Sequence, residues 1–303
     1  DILLNLDSED EGELYVGCAG GEDGSFEMEY RPVPVPRGWE SAHINITGLK
    51  GGHSGMDIIL GRGNANKIMV RILHRLLETC DIRIASVEGG NLRNAIPREA
   101  DSVICFAPGK QDAVRKEVEE IASVVQAELK DVDPGLQVTV SACDAPSGII
   151  PEDLSLKVIR AVYAAPNGVW AMSTPMPGLV ETSSNMAIFR AKEGKIAVHC
   201  LIRSLVDTAK EDMGTALACC FANIGANVSF SGSYPGWKPN MDSPILKVML
   251  DTYKKMYGQE AKVKAIHAGL ECGILGGTYP NWDMISFGPT LRSPHSPDER
   301  CLI

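Results

Sequence analysis

The sequence predicts an α/β protein in which one α/β domain is interrupted by an inserted α+β domain. Three observations carry this. Stretches with strand spacing and helix spacing of their apolar residues follow one another along the 303 residues, the alternation that packs helices on sheets. The pattern breaks at Cys18-Ala19-Gly20-Gly21, and again at Tyr234-Pro235-Gly236-Trp237-Lys238-Pro239-Asn240, a proline- and glycine-rich stretch that reads as a linker with Trp237 as its anchor. The chain is also long enough to bury more than one core. Residues 1–20 and 234–303 are therefore assigned to one domain and 21–233 to the insertion.

Taken in order, residues 2–6 and 13–16 read as short strands around the acidic turn Asp7-Ser8-Glu9-Asp10-Glu11-Gly12. The opening Asp1-Ile2-Leu3 looks like mid-strand, so the chain is expected to be cut through a domain. Residues 43–47 alternate as a half-buried strand, and Gly51-Gly52-His53-Ser54-Gly55 makes a tight loop. Ile68, Met69, Ile72, Leu73, Leu76 and Leu77 form a helical stripe over 65–79. Strands follow at 82–87 and 100–106, a helix at 111–129, a strand at 136–143, a helix at 154–164, strands at 186–190 and 196–203, and a helix at 208–222. The middle thus resembles two consecutive β-α-β-rich units without a sequence repeat. After the linker come a helix at 244–256, a strand at 262–267, a short helix near Cys272, and an apolar strand at 283–287.

Charge and cysteine usage narrow the function. A net charge of −10 argues against nucleic acid or an anionic membrane as partner and suits a site for divalent cations. No apolar run reaches the ~18 residues that a membrane span needs. The nine cysteines are scattered, with no Cys-x-x-Cys pair, which disfavours a zinc ribbon or redox centre. Several sit in apolar runs as buried thiols do, and a reducing, cytoplasmic compartment is expected.

The tail Gly288-Pro289-Thr290-Leu291-Arg292-Ser293-Pro294-His295-Ser296-Pro297-Asp298-Glu299 holds a histidine between two prolines. Proline fixes φ and lacks a donor, so His295 is presented from a stiff loop just past a strand, as a metal ligand needs; an exposed turn histidine is the alternative. Asp7 stands at the carboxyl end of a strand, where open α/β sheets place ligand contacts. A solvated acidic turn is its alternative, while an EF-hand loop fails because Cys18 occupies the place of the closing glutamate. Glu181, Thr182, Ser183 and Asn185 form a polar cluster able to face a substrate. His267 is expected to pack at the end of its strand, and His43, His74 and His199 to be structural.

Six segments in order, Asn5-Leu6-Asp7-Ser8-Glu9, Gly48-Leu49-Lys50-Gly51-Gly52-His53-Ser54-Gly55, Leu92-Arg93-Asn94-Ala95-Ile96-Pro97-Arg98-Glu99-Ala100, His199-Cys200-Leu201-Ile202-Arg203-Ser204-Leu205, Ile266-His267-Ala268-Gly269-Leu270-Glu271-Cys272-Gly273 and the tail, resemble bacterial aminoacyl-histidine dipeptidase (peptidase D, Xaa-His dipeptidase) of the dizinc peptidase and deacylase clan. The resemblance implies a zinc-peptidase-type catalytic α/β domain, here incomplete, interrupted by a lid domain that also mediates homodimerisation. It implies hydrolysis of dipeptides, Xaa-His among them, by water activated on two zinc ions, with manganese or cobalt as alternatives. Asp7 corresponds to a ligand of one zinc and His295 to a ligand of the other. The family's remaining ligands and its general base lie upstream of Asp7, so the chain is expected to be inactive by itself. His53 corresponds to the histidine that reaches a partner subunit's site to polarise the scissile carbonyl. Asn94 and Arg203 correspond to substrate-recognition residues, Arg203 through the terminal carboxylate. Glu271 and Gly273 fall in a loop lining the substrate cleft, where Cys272 replaces the family's usual glycine. A deacylase or tripeptidase of the same clan, or a non-catalytic dimerisation fragment, are the competing readings.

Overall fold

The computed structural model describes residues 1–292, 298 and 300–302. In chain order they form β1 (Ile2–Asn5), β2 (Glu13–Cys18), β3 (Gly20–Glu29), β4 (Glu40–Thr47), β5 (Gly52–His53), α1 (Ala65–Thr79), β6 (Arg83–Gly89), β7 (Ala95–Ile96), β8 (Ala100–Phe106), α2 (Gln111–Leu129), β9 (Gln137–Ala142), α3 (Glu152–Ala164), β10 (Gly168–Met172), β11 (Val180–Lys192), β12 (Lys195–Ser204), α4 (Asp207–Ala222), β13 (Asn227–Tyr234), α5 (Pro244–Tyr257), β14 (Lys262–Ile266), α6 (Glu271–Thr278) and β15 (Asp283–Ser286). Among these helices none is long and apolar enough to cross a membrane. All nine cysteines are free thiols.

The strands divide between two sheets. The small one has the order β1-β15-β2-β14, with β1 parallel to β15 and β14 parallel to β2. Its core is Leu14, Val16, Ile245, Leu246, Ala261 and Ile285. The large one runs β13-β3-β12-β11-β6-β8-β4-β9, with β10 added beside β11. Helix α1 shows how its layer is built. Asn64 caps it by accepting from the Lys67 amide at 3.2 Å, as short polar side chains do at a helix start, and Ile68, Met69, Ile72, Leu73 and Leu76 turn into the core between helices and sheet.

The large sheet contains the same unit twice. The first is β4-α1-β6-β8-α2-β9, with sheet order β6-β8-β4-β9. The second is β3-α3-β11-β12-α4-β13, with sheet order β11-β12-β3-β13. Both are β-α-β-β-α-β folds with the same strand order, and they meet through their second strands, Phe189 facing Gly89, Arg190 facing Glu88 and Ala191 facing Val87. The two units expected to be consecutive are instead nested, because the first strand of the second unit precedes the whole of the first.

Two chain segments cross between the sheets and are zipped together: the Cys18 amide donates to the Trp237 carbonyl at 3.0 Å and the Trp237 amide to the Cys18 carbonyl at 2.8 Å. Their approach is so close that a Cβ on Gly20 would come within 2.5 Å of the Gly236 nitrogen and 2.6 Å of the Pro235 carbonyl carbon. The expected break at residues 18–21 is therefore a change of sheet, with Ala19 alone standing between the two strands.

Candidate active site

Two polar clusters hold the residues singled out by the sequence. The first lies where β12, the 51–55 loop and the segment after β14 converge. Arg203, only 5% exposed, donates through Nε to the Ser54 hydroxyl at 3.3 Å and through Nη1 to the Tyr234 hydroxyl at 3.1 Å. Both partners are neutral. Ser183, directly across the strand pair from Arg203, has its hydroxyl 2.7 Å from Nε2 of His267. His267 is likewise 5% exposed, and its Nδ1 is buried with no hydrogen-bond partner among the described residues.

His53 is oriented by its own loop. Its Nδ1 accepts from the Gly55 amide at 3.2 Å and the Met56 amide at 3.1 Å, and its own amide donates to Asp57 at 2.8 Å. With the Nδ1 lone pair engaged, the ring hydrogen sits on Nε2, so a neutral His53 is a donor at that atom. Burial lowers its pKa, Arg203 lowers it further, and Asp57 acts in the opposite sense. Asn94 is tied to the same loop through its backbone, its carbonyl accepting from the Ser54 amide at 2.9 Å, while its side chain is exposed. His53 and Arg203 belong to the two different units of the large sheet, yet meet in one chain.

The second cluster lies past the carboxyl ends of the parallel strands β1 and β15. Asn5 donates to Glu271 at 3.3 Å and to the Ser286 hydroxyl at 3.1 Å, and the Ser8 and Ser286 hydroxyls are 2.7 Å apart. Asp7 is exposed in this turn. Residues 287–292 run alongside it: the Phe287 amide donates to the Asn5 carbonyl at 3.0 Å and the Leu291 amide to the Glu9 carbonyl at 2.9 Å. His295 lies outside the described residues. Among the described residues no three His, Cys, Asp or Glu side chains gather to hold a metal ion. Of the two expected ligands, only Asp7 lies among the described residues. Gly273 faces elsewhere: it is buried, and a Cβ there would come within 2.8 Å of the Pro235 carbonyl oxygen and 3.1 Å of the Cys18 sulfur, so its place is under the crossover.

Of the polar run Glu181–Asn185, Ser183 enters the Arg203 cluster, whereas Thr182 bonds Ser204 at 2.9 Å and Asn185 the Ala95 carbonyl at 2.8 Å. Ser54, Tyr234 and the full involvement of His267 escaped the sequence reading. The signal available was the placement of Ser54 beside His53 and of His267 four residues before Glu271.

Burial, the Arg203 charge and, more weakly, His53 outweigh the Val180 carbonyl and hold the pKa of His267 down to about 3, against an ordinary imidazole value of 6.5. The unfolded chain then takes up a proton near pH 6.5 that the folded chain refuses until about pH 3. This contribution to stability is complete above pH 6.5 and is lost as pH falls through that window. Urea titrations of His267→Gln are expected to show a shallower fall in stability from pH 7 to about pH 4.5 than the unsubstituted chain. Equal slopes for the two proteins contradict a neutral, buried His267.

Two sheets joined by a double crossover, with a buried arginine and an oriented imidazole at their junction, define the class: an α/β chain carrying a peptidase dimerisation domain, which residues 44–133 match. Over all 303 residues the chain is 40% identical to the cytosol non-specific dipeptidase of Escherichia coli strain K12, of which it covers 62%. The crystal structure of aminoacylhistidine dipeptidase from Vibrio alginolyticus matches with a TM-score of 0.96 at 42% identity, covering 99% of this chain and 61% of that one. The resemblance to the aminoacyl-histidine dipeptidases is thereby borne out along the chain, which spans about three-fifths of the length of these relatives.

Proposed function

We propose that the protein hydrolyses dipeptides, those ending in histidine among them, with Arg203 receiving the terminal carboxylate and His53 donating its Nε2 hydrogen to the carbonyl oxygen under attack. One observation carries this: a buried guanidinium whose described partners are two neutral hydroxyls. A buried cation left without a counter-charge is costly, and a carboxylate that forks onto it satisfies both its charge and its remaining donors. The neutral, oriented His53 supplies what a developing oxyanion needs, a donor fixed in advance. Asn94, immediately before the strand that pairs with the His53 loop, completes the recognition set, and Glu271 is assigned to substrate binding from the neighbouring Asn5 cluster.

In this reading residues 1–20 and 234–303 are the catalytic domain and 21–233 the lid, whose closure assembles the site. His53 then serves its own chain, since the edge strand β6 of its unit is already paired with β11. Homodimerisation through the lid domain is supported by the match of residues 44–133 to the peptidase dimerisation domain. Asp7 and His295 are assigned to a pair of divalent cations, zinc with manganese or cobalt as alternatives, that supply an activated water. A cytoplasmic setting goes with the nine free thiols and the cytosolic relative.

The test is amino-acid release from dipeptides, their C-terminal amides, tripeptides and N-acyl amino acids, with each of the three metals supplied. Cleavage confined to dipeptides with a free carboxylate supports the proposal. Equal cleavage of the amides removes Arg203 from the reading, and a preference for tripeptides or N-acyl substrates transfers the chain to the related activities of the clan. Silence in every metal leaves the dimerisation-fragment reading.

A further inference from the structure

We propose that His267 is a positioning residue for Arg203: a neutral wedge that holds the guanidinium ready for an anion without cancelling its charge. The proposal rests on the reading of Arg203 as the carboxylate receptor and adds how the small sheet prepares it. The segment after β14 is pinned at its root, where the Ala19 amide donates to the Ile266 and Ala268 carbonyls, each at 3.0 Å. From there the His267 imidazole crosses to the large sheet and meets the Ser183 hydroxyl at 2.7 Å. Ser183 and Arg203 are register partners on adjacent antiparallel strands, so their side chains leave the same face side by side. Gly55 gives a second view of the same contact: a Cβ there would strike the His267 carbonyl oxygen and come within 3.2 Å of both Cδ and Nε of Arg203.

Packing alone does not account for an imidazole at this place. Burying Nδ1 with no regular hydrogen bond, the Val180 carbonyl lying near the ring but outside good hydrogen-bond geometry, has a cost, up to about 1–3 kcal/mol, that a leucine or phenylalanine avoids. A carboxylate would satisfy Arg203 and so occupy it. A lysine would repel it. A ring that accepts or donates one hydrogen bond to Ser183 and stays uncharged beside a cation fixes the neighbour and leaves its field intact. The charged and titratable groups that act on His267 are Arg203 and His53; around them, Tyr234 bonds Arg203 through its hydroxyl and Asp57 acts on His53.

The experiment follows the Arg203 Nε–H resonance by NMR in the 303-residue chain, with a dipeptide such as glycyl-histidine and with its C-terminal amide. In the unsubstituted chain the dipeptide is expected to shift that resonance and the amide to leave it in place. In His267→Glu, Arg203 is expected to be displaced before any ligand is added, with dipeptide affinity reduced about tenfold or more by the internal charge pair. His267→Gln, which keeps a neutral hydrogen-bonding group, is expected to retain the response at moderately reduced affinity. Thermal melts of both variants verify folding. A dipeptide response that survives His267→Glu undiminished, or that is lost equally in a folded His267→Gln, overturns the positioning role alone. No shift at Arg203 from either ligand in the unsubstituted chain overturns the carboxylate reading, and this proposal with it.

Discussion

Arg203→Met is expected to weaken dipeptide binding by roughly thirtyfold or more, because truncating one side of a buried, hydrogen-bonded charge pair costs about 2–5 kcal/mol. Stability is expected to move the other way. In the unliganded chain the guanidinium is 5% exposed and held by the Ser54 and Tyr234 hydroxyls, so methionine removes an uncompensated cation from the interior while filling similar volume. The melting temperature of the variant should therefore match or exceed that of the parent, the trade of stability for function that binding sites make. Loss of the cation also removes one of the influences that keep His53 and His267 neutral, so both imidazoles are expected to titrate at higher pH in the variant, measurable from their ring carbon-bound protons. The comparison that decides is substrate charge. A dipeptide amide, which offers no carboxylate, should bind equally weakly to parent and variant, and a variant that binds the amide less well than the parent has lost its architecture instead of its receptor.

Much of this fold was legible where one physical signal dominates. Helices α1 and α2 and strand β8 occupy the residues read from the sequence, because each has an unbroken apolar stripe and, for α1, a capping Asn64 at its start. Strand β3 was not legible. Its Gly20-Gly21-Glu22-Asp23-Gly24 opening has neither apolar alternation nor β-branched residues, and it is extended because β12 and β13 pair with it on both sides. Its glycines answer to tertiary neighbours: a Cβ on Gly21 would press into the Tyr234 ring at 2.7 Å. Strand β13 escaped for a related reason, being a polar edge strand whose side chains are largely exposed. The site divides the same way. His53 and Arg203 stand in motifs that mark them individually, but their meeting with Ser183, Tyr234 and His267 arises only when the crossover at residues 18–20 and 234–237 brings two sheets together, and no local spacing encodes that.

Gly55→Ala is expected to disturb folding and recognition together, and the two effects have one origin. The added methyl falls on the carbonyl oxygen of His267, a backbone atom anchored through the loop that Ala19 pins, so rotating a side chain cannot relieve it. Either the 51–55 loop or the segment after β14 must move, at a cost of about 1–3 kcal/mol typical of overpacking. The loop that moves also carries the Gly55 and Met56 amides that hold Nδ1 of His53 and the Ser54 hydroxyl that meets Arg203. Its displacement therefore frees the His53 tautomer and removes a support of the guanidinium in one stroke. Urea denaturation measures the first effect and dipeptide titration the second. Because the obstruction is the main chain of residue 267, the stability cost should persist in the Gly55→Ala/His267→Gln pair, which is expected to be less stable than His267→Gln alone. If instead the pair is no less stable than His267→Gln alone, the imidazole and not the carbonyl was the obstacle. An unchanged melting curve for Gly55→Ala by itself means that the two sheets do not press on each other at this point, and the junction loses its role in shaping the site.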